Sequence, residues 1–204
     1  MSISGFFLML FLLVHLSANL TVLVSADLFI STCRFMGSNP FVLAMVPVLA
    51  AGVFIHLIYA ILLTWHNFRA RGPKRYATGN RNRAISFASK NMFVLGVIIL
   101  GGLTLHLTHF WAKMQLREFM GQVEVDPYQL MCYQFSQWHI ILIYVAWIIA
   151  VWFHLSHGFW SAFQSIGLNN SKWIKRLQAI SYLYATLVAI GFLAIPIYFY
   201  LFIV

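Results

Sequence analysis

The chain has 204 residues, of which 62% are hydrophobic and only 8% are charged, and its mean hydropathy is +0.84. A soluble domain of this length cannot bury so much apolar surface, so the composition excludes a soluble protein and predicts a membrane protein. In a soluble protein, a formal net charge of +9 would suggest nucleic acid as a binding partner. Here the charge flanks apolar segments, so we expect a lipid membrane and no nucleic acid as partner.

Five apolar segments follow one another along the chain, and each exceeds the roughly 20 residues that a helix needs to cross a bilayer. They cover about residues 3–25, 41–67, 90–113, 137–163 and 177–201. The pattern predicts an all-α membrane protein, a bundle of five transmembrane helices that forms a single membrane domain over residues 1–204. We expect the first segment to be a retained helix rather than a secretory signal, because no basic residue precedes it and its apolar run is long.

The charged residues predict the orientation of this bundle. The loops after the second and fourth segments contain cations and no acid, namely Arg69, Arg71, Lys74, Arg75, Arg81, Arg83 and Lys90 in one and Lys172, Lys175 and Arg176 in the other. The other two loops hold all four acids, Asp27, Glu118, Glu124 and Asp126, with Arg34, Lys113 and Arg117. Because basic loops stay in the cytoplasm, we expect a cytoplasmic N-terminus and a periplasmic C-terminus in a bacterial inner (cytoplasmic) membrane.

Four histidines lie in the middle of four different apolar segments: His15, His56, His106 and His154. An ionisable side chain in the centre of a spanning helix is costly, so it marks a functional site by default. Four such residues on four helices suggest two pairs. Paired neutral imidazoles on facing helices are a known way for a bundle to hold six-coordinate haem iron, so the pattern predicts a cytochrome b with two haem b groups.

The predicted topology sorts these histidines by depth. His15 and His106 lie about 10 and 7 residues from the outer ends of their segments, whereas His56 and His154 lie about 15 and 17 residues away. We therefore predict an outer pair, His15 with His106, and an inner pair, His56 with His154, as axial ligands of the two haem irons.

The other histidines, His66, His109, His139 and His157, lie near predicted helix ends, where they reach water or lipid headgroups. His109 and His157 follow two of the predicted ligands by three residues and share their helix faces. They are secondary candidates, either as ligands or as partners of a haem propionate. Because His106 and His154 lie deeper in their predicted spanning segments, they are favoured over His109 and His157 as the haem ligands.

Several common chemical motifs are absent from the sequence. It has no Cys-x-x-Cys-His motif for covalent haem attachment, no nucleotide-binding loop and no zinc motif, so no dehydrogenase active site is expected on this chain. Cys33 and Cys132 both fall in predicted outer loops, where a disulfide is chemically permitted. Two unconnected thiols are the favoured interpretation, because nothing in the sequence fixes their distance.

The chain resembles the di-haem cytochrome b anchor subunit of succinate dehydrogenases and fumarate reductases, the succinate:quinone oxidoreductase family. The resemblance rests on five helices, four histidines on the first four of them, and two short segments. The segment from His154 to Gly167 (HLSHGFWSAFQSIG) is similar to the family's fourth-helix motif, and the segment from Arg69 to Tyr76 (RARGPKRY) is similar to its exit from the second helix.

The resemblance implies an electron-transfer subunit with two haem b groups that anchors a flavoprotein subunit and an iron–sulfur subunit on the cytoplasmic face, with menaquinone as the quinone substrate. One position departs from the family pattern. Some fumarate reductases of this family carry a glutamate two residues before the fourth-helix ligand, where this chain has Trp152. No predicted spanning segment contains Asp or Glu, so a carboxylate proton relay through the bundle is not supported.

Three alternatives predict different features. A di-haem anchor of a nitrate reductase or hydrogenase draws its ligands from fewer helices. A cation transporter predicts histidines that converge at one depth, usually with a carboxylate. An anchor that has lost haem does not need four central histidines. The physiological direction, succinate oxidation or fumarate reduction, stays open. We further expect residues 69–90 and 164–176 to form much of the interface with the iron–sulfur subunit.

Overall fold

The computed structural model describes residues 1–71, 87–123, 125–168 and 170–203, which fold into helices with no strand among them. In chain order the α-helices are α1 (Ser2–Leu20), α2 (Ala26–Ser38), α3 (Pro40–Arg71), α4 (Phe87–His106), α5 (Gln115–Phe119), α6 (Pro127–Phe135), α7 (Trp138–Gln164) and α8 (Ser171–Tyr198). Five of them, α1, α3, α4, α7 and α8, are long and apolar enough to cross a membrane. The prediction of an all-α fold with five helices of spanning length and polarity is therefore confirmed for the described residues.

Helix caps explain two short helices in regions where the sequence predicted loops. Ser25 has extended backbone angles, and its hydroxyl accepts a hydrogen bond from the Leu28 amide at the start of α2. The Asp126 carboxylate accepts from the amides of Tyr128 and Gln129, with Pro127 in the first turn of α6. These are favourable N-cap and N1 residues. Neither helix crosses the bundle, and apolar periodicity over a spanning length does not detect such elements.

The fifth spanning helix begins six residues earlier than the sequence predicted, at Ser171 rather than 177. The Asn170 side chain caps it by accepting from the Trp173 amide at 2.9 Å. Lys172, Lys175 and Arg176 therefore belong to the first turns of α8 rather than to a loop, which corrects the predicted boundary. Their position at one end of the bundle is unchanged.

The best-packed part of the bundle is the contact of α7 with α8, to which α1 adds a third helix. The fully buried Ser181 hydroxyl donates to main-chain carbonyls of α7, 2.7 Å from that of Ser156. Tyr184 of α8 donates to the Met9 carbonyl of α1 at 2.7 Å. Trp152 of α7 donates to Thr186 of α8 at 3.0 Å. In this way α8, which has no histidine, completes the bundle.

Contacts between helices fix their relative directions. The hydroxyl of Ser165, just after α7, donates to the Ala162 carbonyl and lies 2.6 Å from the Ser2 hydroxyl at the start of α1, so α1 and α7 are antiparallel. α3 runs antiparallel to α1 as well, because its Gly52 lies against Phe7 and its His56 against Gly5. We call the end of the bundle that contains Ser2 and Ser165 the Ser2 end, and the opposite end the α6 end.

The two ends differ in charge. At the Ser2 end the described cations are Arg69, Lys90, Lys172, Lys175 and Arg176. At the α6 end lie the described acids Asp27, Glu118 and Asp126, together with Arg34, Lys113 and Arg117. The structure thus separates in space the charges that the sequence separates along the chain.

The turn at the end of α7 explains why a glycine stands at position 167. Gly167 has φ = +95°, a left-handed conformation that favours glycine. The Leu168 amide donates to the Phe163 carbonyl, and the Gly167 amide donates to that of Gln164. This pair of hydrogen bonds is the Schellman pattern of helix termination. Gly167 therefore stops α7 and turns the chain toward α8.

Both cysteines lie at the α6 end, on α2 and α6, where they pack against one buried apolar cluster. Both are free thiols. Burial, followed by the nearby Asp126 carboxylate, raises the pKa of the Cys33 thiol to about 11, and burial also raises the pKa of Cys132. Since the thiolate is the reactive form, both thiols are weak nucleophiles at neutral pH.

Candidate functional site

His15 of α1 and His106, the last residue of α4, lie next to each other within the bundle. Their ring centroids are 5.6 Å apart and the rings are nearly perpendicular, at 86°. Aromatic rings surround the pair: Phe11 and Phe192 beside His15, and Phe110, Tyr144 and Trp147 beside His106. This is the outer pair of the sequence prediction, and it occupies an apolar, largely aromatic environment.

His56 of α3 and His154 of α7 form a second pair across the bundle. Their ring centroids are 6.3 Å apart, with an angle of 65° between the rings. Nδ1 of His56 lies 3.2 Å from the Ser4 hydroxyl of α1. Nδ1 of His154 is buried and has no hydrogen-bond partner among the described residues. This is the predicted inner pair.

The two pairs lie at different depths. His56 is level with Ser4 and Gly5 of α1, and His15 follows Gly5 by ten residues. On α7, Trp147 packs on His106, and His154 follows Trp147 by seven residues. At 1.5 Å rise per residue, the pairs are about 10 to 15 Å apart along the helices. The His56–His154 pair is the one nearer the Ser2 end.

The two secondary candidates face other partners. Nδ1 of His109 lies 3.5 Å from the Tyr144 hydroxyl, and the two rings are stacked at 6.1 Å. His157 packs edge-on against Trp160 at 5.0 Å, and its buried Nδ1 has no partner in the described part of the chain. His66 and His139 are exposed. Neither His109 nor His157 faces another histidine, whereas His106 and His154 do.

A π-helical turn over Leu107–Trp111 follows His106 and contains His109. In a regular α-helix these residues share a face, but the wider turn rotates the residues that follow it. In the structure both rings contact Tyr144 of α7, and His106 also packs against His15 of α1. Such turns are rare and often lie at functional sites.

The geometry of both pairs is compatible with one metal ion held between two imidazoles. With metal–nitrogen bonds of about 2 Å and the nitrogen about 1 Å from its ring centre, two rings on opposite sides of one metal have centroids about 6 Å apart. The observed distances are 5.6 and 6.3 Å. The buried Nδ1 of His154 is a further polar atom, and no described residue forms a hydrogen bond with it.

No family model, curated protein or solved structure matches this chain. The candidate site is therefore described from the nitrogen, oxygen and sulfur atoms that its side chains could offer to a ligand. In the described residues no three His, Cys, Asp or Glu side chains form one cluster. What they form is two separate pairs of imidazoles. That donor set suits a planar cofactor that already supplies four equatorial nitrogens, so the residues present fit haem.

The spanning helices are not packed equally closely. No described side chain of α3 is buried, although its His56 ring approaches α7. Gly96 and Gly101 of α4 and Gly158 of α7 have nothing within 4 Å of an added Cβ. Gly102, by contrast, lies so close to Trp147 that a Cβ would overlap the indole ring.

Sequence reasoning missed the residues that hold the histidines in place. Ser4 contacts His56, while Asn19 lies 3.5 Å from both ring nitrogens of His15 and donates to its carbonyl at 2.8 Å. Tyr144 and Trp147 pack on His106, and the Trp147 indole donates to the Ile99 carbonyl of α4. Tyr144 and Trp147 are three residues apart on α7, a helical spacing that could have identified them as a pair on one face.

Proposed function

We propose that this chain is the di-haem cytochrome b anchor of a complex of the succinate:quinone oxidoreductase family. It carries one haem b between His15 and His106 and another between His56 and His154, and it transfers electrons between an iron–sulfur subunit and menaquinone. The observation that carries the proposal is the presence of two facing imidazole pairs at two depths, formed by four different helices.

When bound, haem would supply reversible one-electron chemistry, and the two histidine pairs are the residues that would hold it. The chain itself would provide the ligands, their orientation and a largely aromatic environment for the outer pair. Phe11, Phe110, Tyr144, Trp147 and Phe192 surround the outer pair. Near the Ser2 end, Ser4 holds one ring of the inner pair. The depth difference of about 10 to 15 Å supports electron transfer across the membrane over a cation transporter, whose ligands converge on one site.

The proposed orientation places the Ser2 end in the cytoplasm of a bacterium and the α6 end in the periplasm. It is supported by the cations at the Ser2 end and the acids at the α6 end, since basic segments are retained on the cytoplasmic side. The flavoprotein and iron–sulfur subunits then dock at the Ser2 end, close to the His56–His154 pair.

The complex purified with this subunit is expected to contain two low-spin b haems per chain with two different midpoint potentials, because the surroundings of the pairs differ. Pyridine haemochrome analysis measures the haem content, and a spectroscopic redox titration measures the potentials. One haem or none per chain would refute the di-haem assignment. A chain that binds two haems but copurifies with another type of catalytic subunit would refute only the family assignment.

Docking of the iron–sulfur subunit is expected to protect residues 69–90 and 164–176 from hydrogen exchange. Residues 72–86 and 169 of these stretches lie outside the described residues. The described cations Arg69, Lys90, Lys172, Lys175 and Arg176 surround the Ser2 end, where an acidic partner surface would be attracted. The comparison is between the whole complex and the anchor after removal of its soluble subunits. Equal exchange in both samples would contradict the docking surface.

A further inference from the structure

The Ser4 hydroxyl makes two hydrogen bonds that together determine which nitrogen of His56 carries a proton. Ser4 Oγ lies 2.8 Å from the Met1 carbonyl oxygen and 3.2 Å from Nδ1 of His56. A hydroxyl has one proton, and a carbonyl oxygen can only accept. Ser4 therefore donates to Met1 and accepts from His56, so Nδ1 is the protonated nitrogen and Nε2 of the neutral ring keeps its lone pair.

The position of the ring agrees with this assignment. A Cβ built on Gly5 would lie 3.9 Å from Cε1 of His56, so the edge with Nδ1 and Cε1 rests on the first turn of α1. The edge with Nε2 and Cδ2 is turned away from α1, and His154 lies across the bundle at a ring distance of 6.3 Å. Nε2 is thus the nitrogen of His56 that can bind a metal.

Two of the other candidate ligands, His15 and His154, have weaker polar contacts at their ring nitrogens. The ring nitrogens of His15 have only 3.5 Å contacts to the Asn19 amide nitrogen, which is at the limit of hydrogen bonding. Nδ1 of His154 has no partner among the described residues. The short contact of Ser4 with His56 is therefore a difference between the two pairs, and between the two rings of one pair.

We infer that Ser4 is a positioning residue that fixes the Nδ1–H tautomer of His56 and lowers the midpoint potential of the haem held by His56 and His154. This inference rests on the proposed function. A hydrogen bond from Nδ1–H to an acceptor makes the opposite nitrogen a better donor, a common role of residues behind metal-binding histidines. A more strongly donating ligand stabilises the oxidised iron more than the reduced iron, because the oxidised iron carries the larger charge.

The test is a redox titration of the purified complex with Ser4→Ala, Ser4→Cys and Ser4→Thr. Ser4→Ala is expected to favour reduction of this haem about threefold, which is about 30 mV upward for one electron. Ser4→Thr keeps the hydroxyl and should retain the wild-type potential. Ser4→Cys, with a weaker acceptor, should fall between them, so the order of potentials can be tested even if one variant fails to assemble.

Ser17→Ala is a matched control, because Ser17 is on the same helix and donates to the Leu13 carbonyl at 2.8 Å without a described contact to histidine. It should leave both potentials unchanged. The haem affected by Ser4 is identified as the one that is absent from His56→Ala. Equal potentials in Ser4→Ala and wild type, or equal shifts of both haems, would overturn the inference while the two-haem proposal stands. A wild-type complex without two haems would overturn the proposed function and the inference with it.

Discussion

Replacement of His56 or His154 with alanine is expected to reduce the haem content of the purified complex from two per chain to one. Alanine supplies no ligand, and the remaining imidazole of the pair holds the iron from one side only. The ring of His157, the nearest histidine in sequence to His154, packs on Trp160 instead. Pyridine haemochrome analysis relative to protein content measures the loss. His15→Ala and His106→Ala should each remove the other haem. The haem that remains in these two variants should therefore have a different midpoint potential from the haem that remains in His56→Ala and His154→Ala.

Two exposed histidines provide controls for this experiment. His66 and His139 lie on spanning helices but do not face another histidine, so His66→Ala and His139→Ala should keep both haems. His109→Ala and His157→Ala are the stricter comparison. If His157→Ala loses a haem and His154→Ala retains two, His157 is the ligand on α7 and the assigned pair is wrong.

Gly102→Ala is expected to destabilise the bundle and to weaken binding of the outer haem. The new methyl group would overlap the Trp147 indole, which packs on His106 at 5.7 Å and donates to the Ile99 carbonyl at 3.1 Å. Overpacking of this kind typically costs about 1–3 kcal/mol. Displacement of Trp147 would also move the surroundings of His106. Thermal unfolding in detergent and haem content per chain measure the two effects.

The neighbouring glycine gives a matched control. Gly101 is on the same helix, and an added Cβ there meets nothing within 4 Å. Gly101→Ala changes helix propensity as Gly102→Ala does, but without the overlap, so it should not lower the melting temperature. Equal melting temperatures and equal haem contents for the two variants would show that close packing at Gly102 is unimportant.

The sequence alone was sufficient to find the histidine pairs, because a spanning helix converts residue number into depth. With 1.5 Å rise per residue and alternating helix directions, His15 and His106 come to one level and His56 and His154 to another. The structure brings together the same residues, with ring distances of 5.6 and 6.3 Å. Their role as haem ligands stays a prediction.

The sequence analysis did not predict the short helices outside the spanning segments. α2 and α6 have 13 and 9 residues, and they are held by caps at Ser25 and Asp126 and by packing at the α6 end. Their helical state depends on local hydrogen bonds and on the cluster around Phe29 and Phe135, since isolated helices of this length are marginal in water. Hydropathy over about 20 residues does not detect them.

The amino-acid sequence by itself determined the class of protein, the number of spanning helices and the four central histidines, because lipid imposes a length and a polarity on every segment that crosses it. Only the tertiary structure decided what each histidine faces. His106, and not His109, packs against His15 of α1, and the tautomer of His56 depends on Ser4, 52 residues away in the chain. Such contacts arise from the rotation and packing of helices, which a hydropathy pattern does not specify.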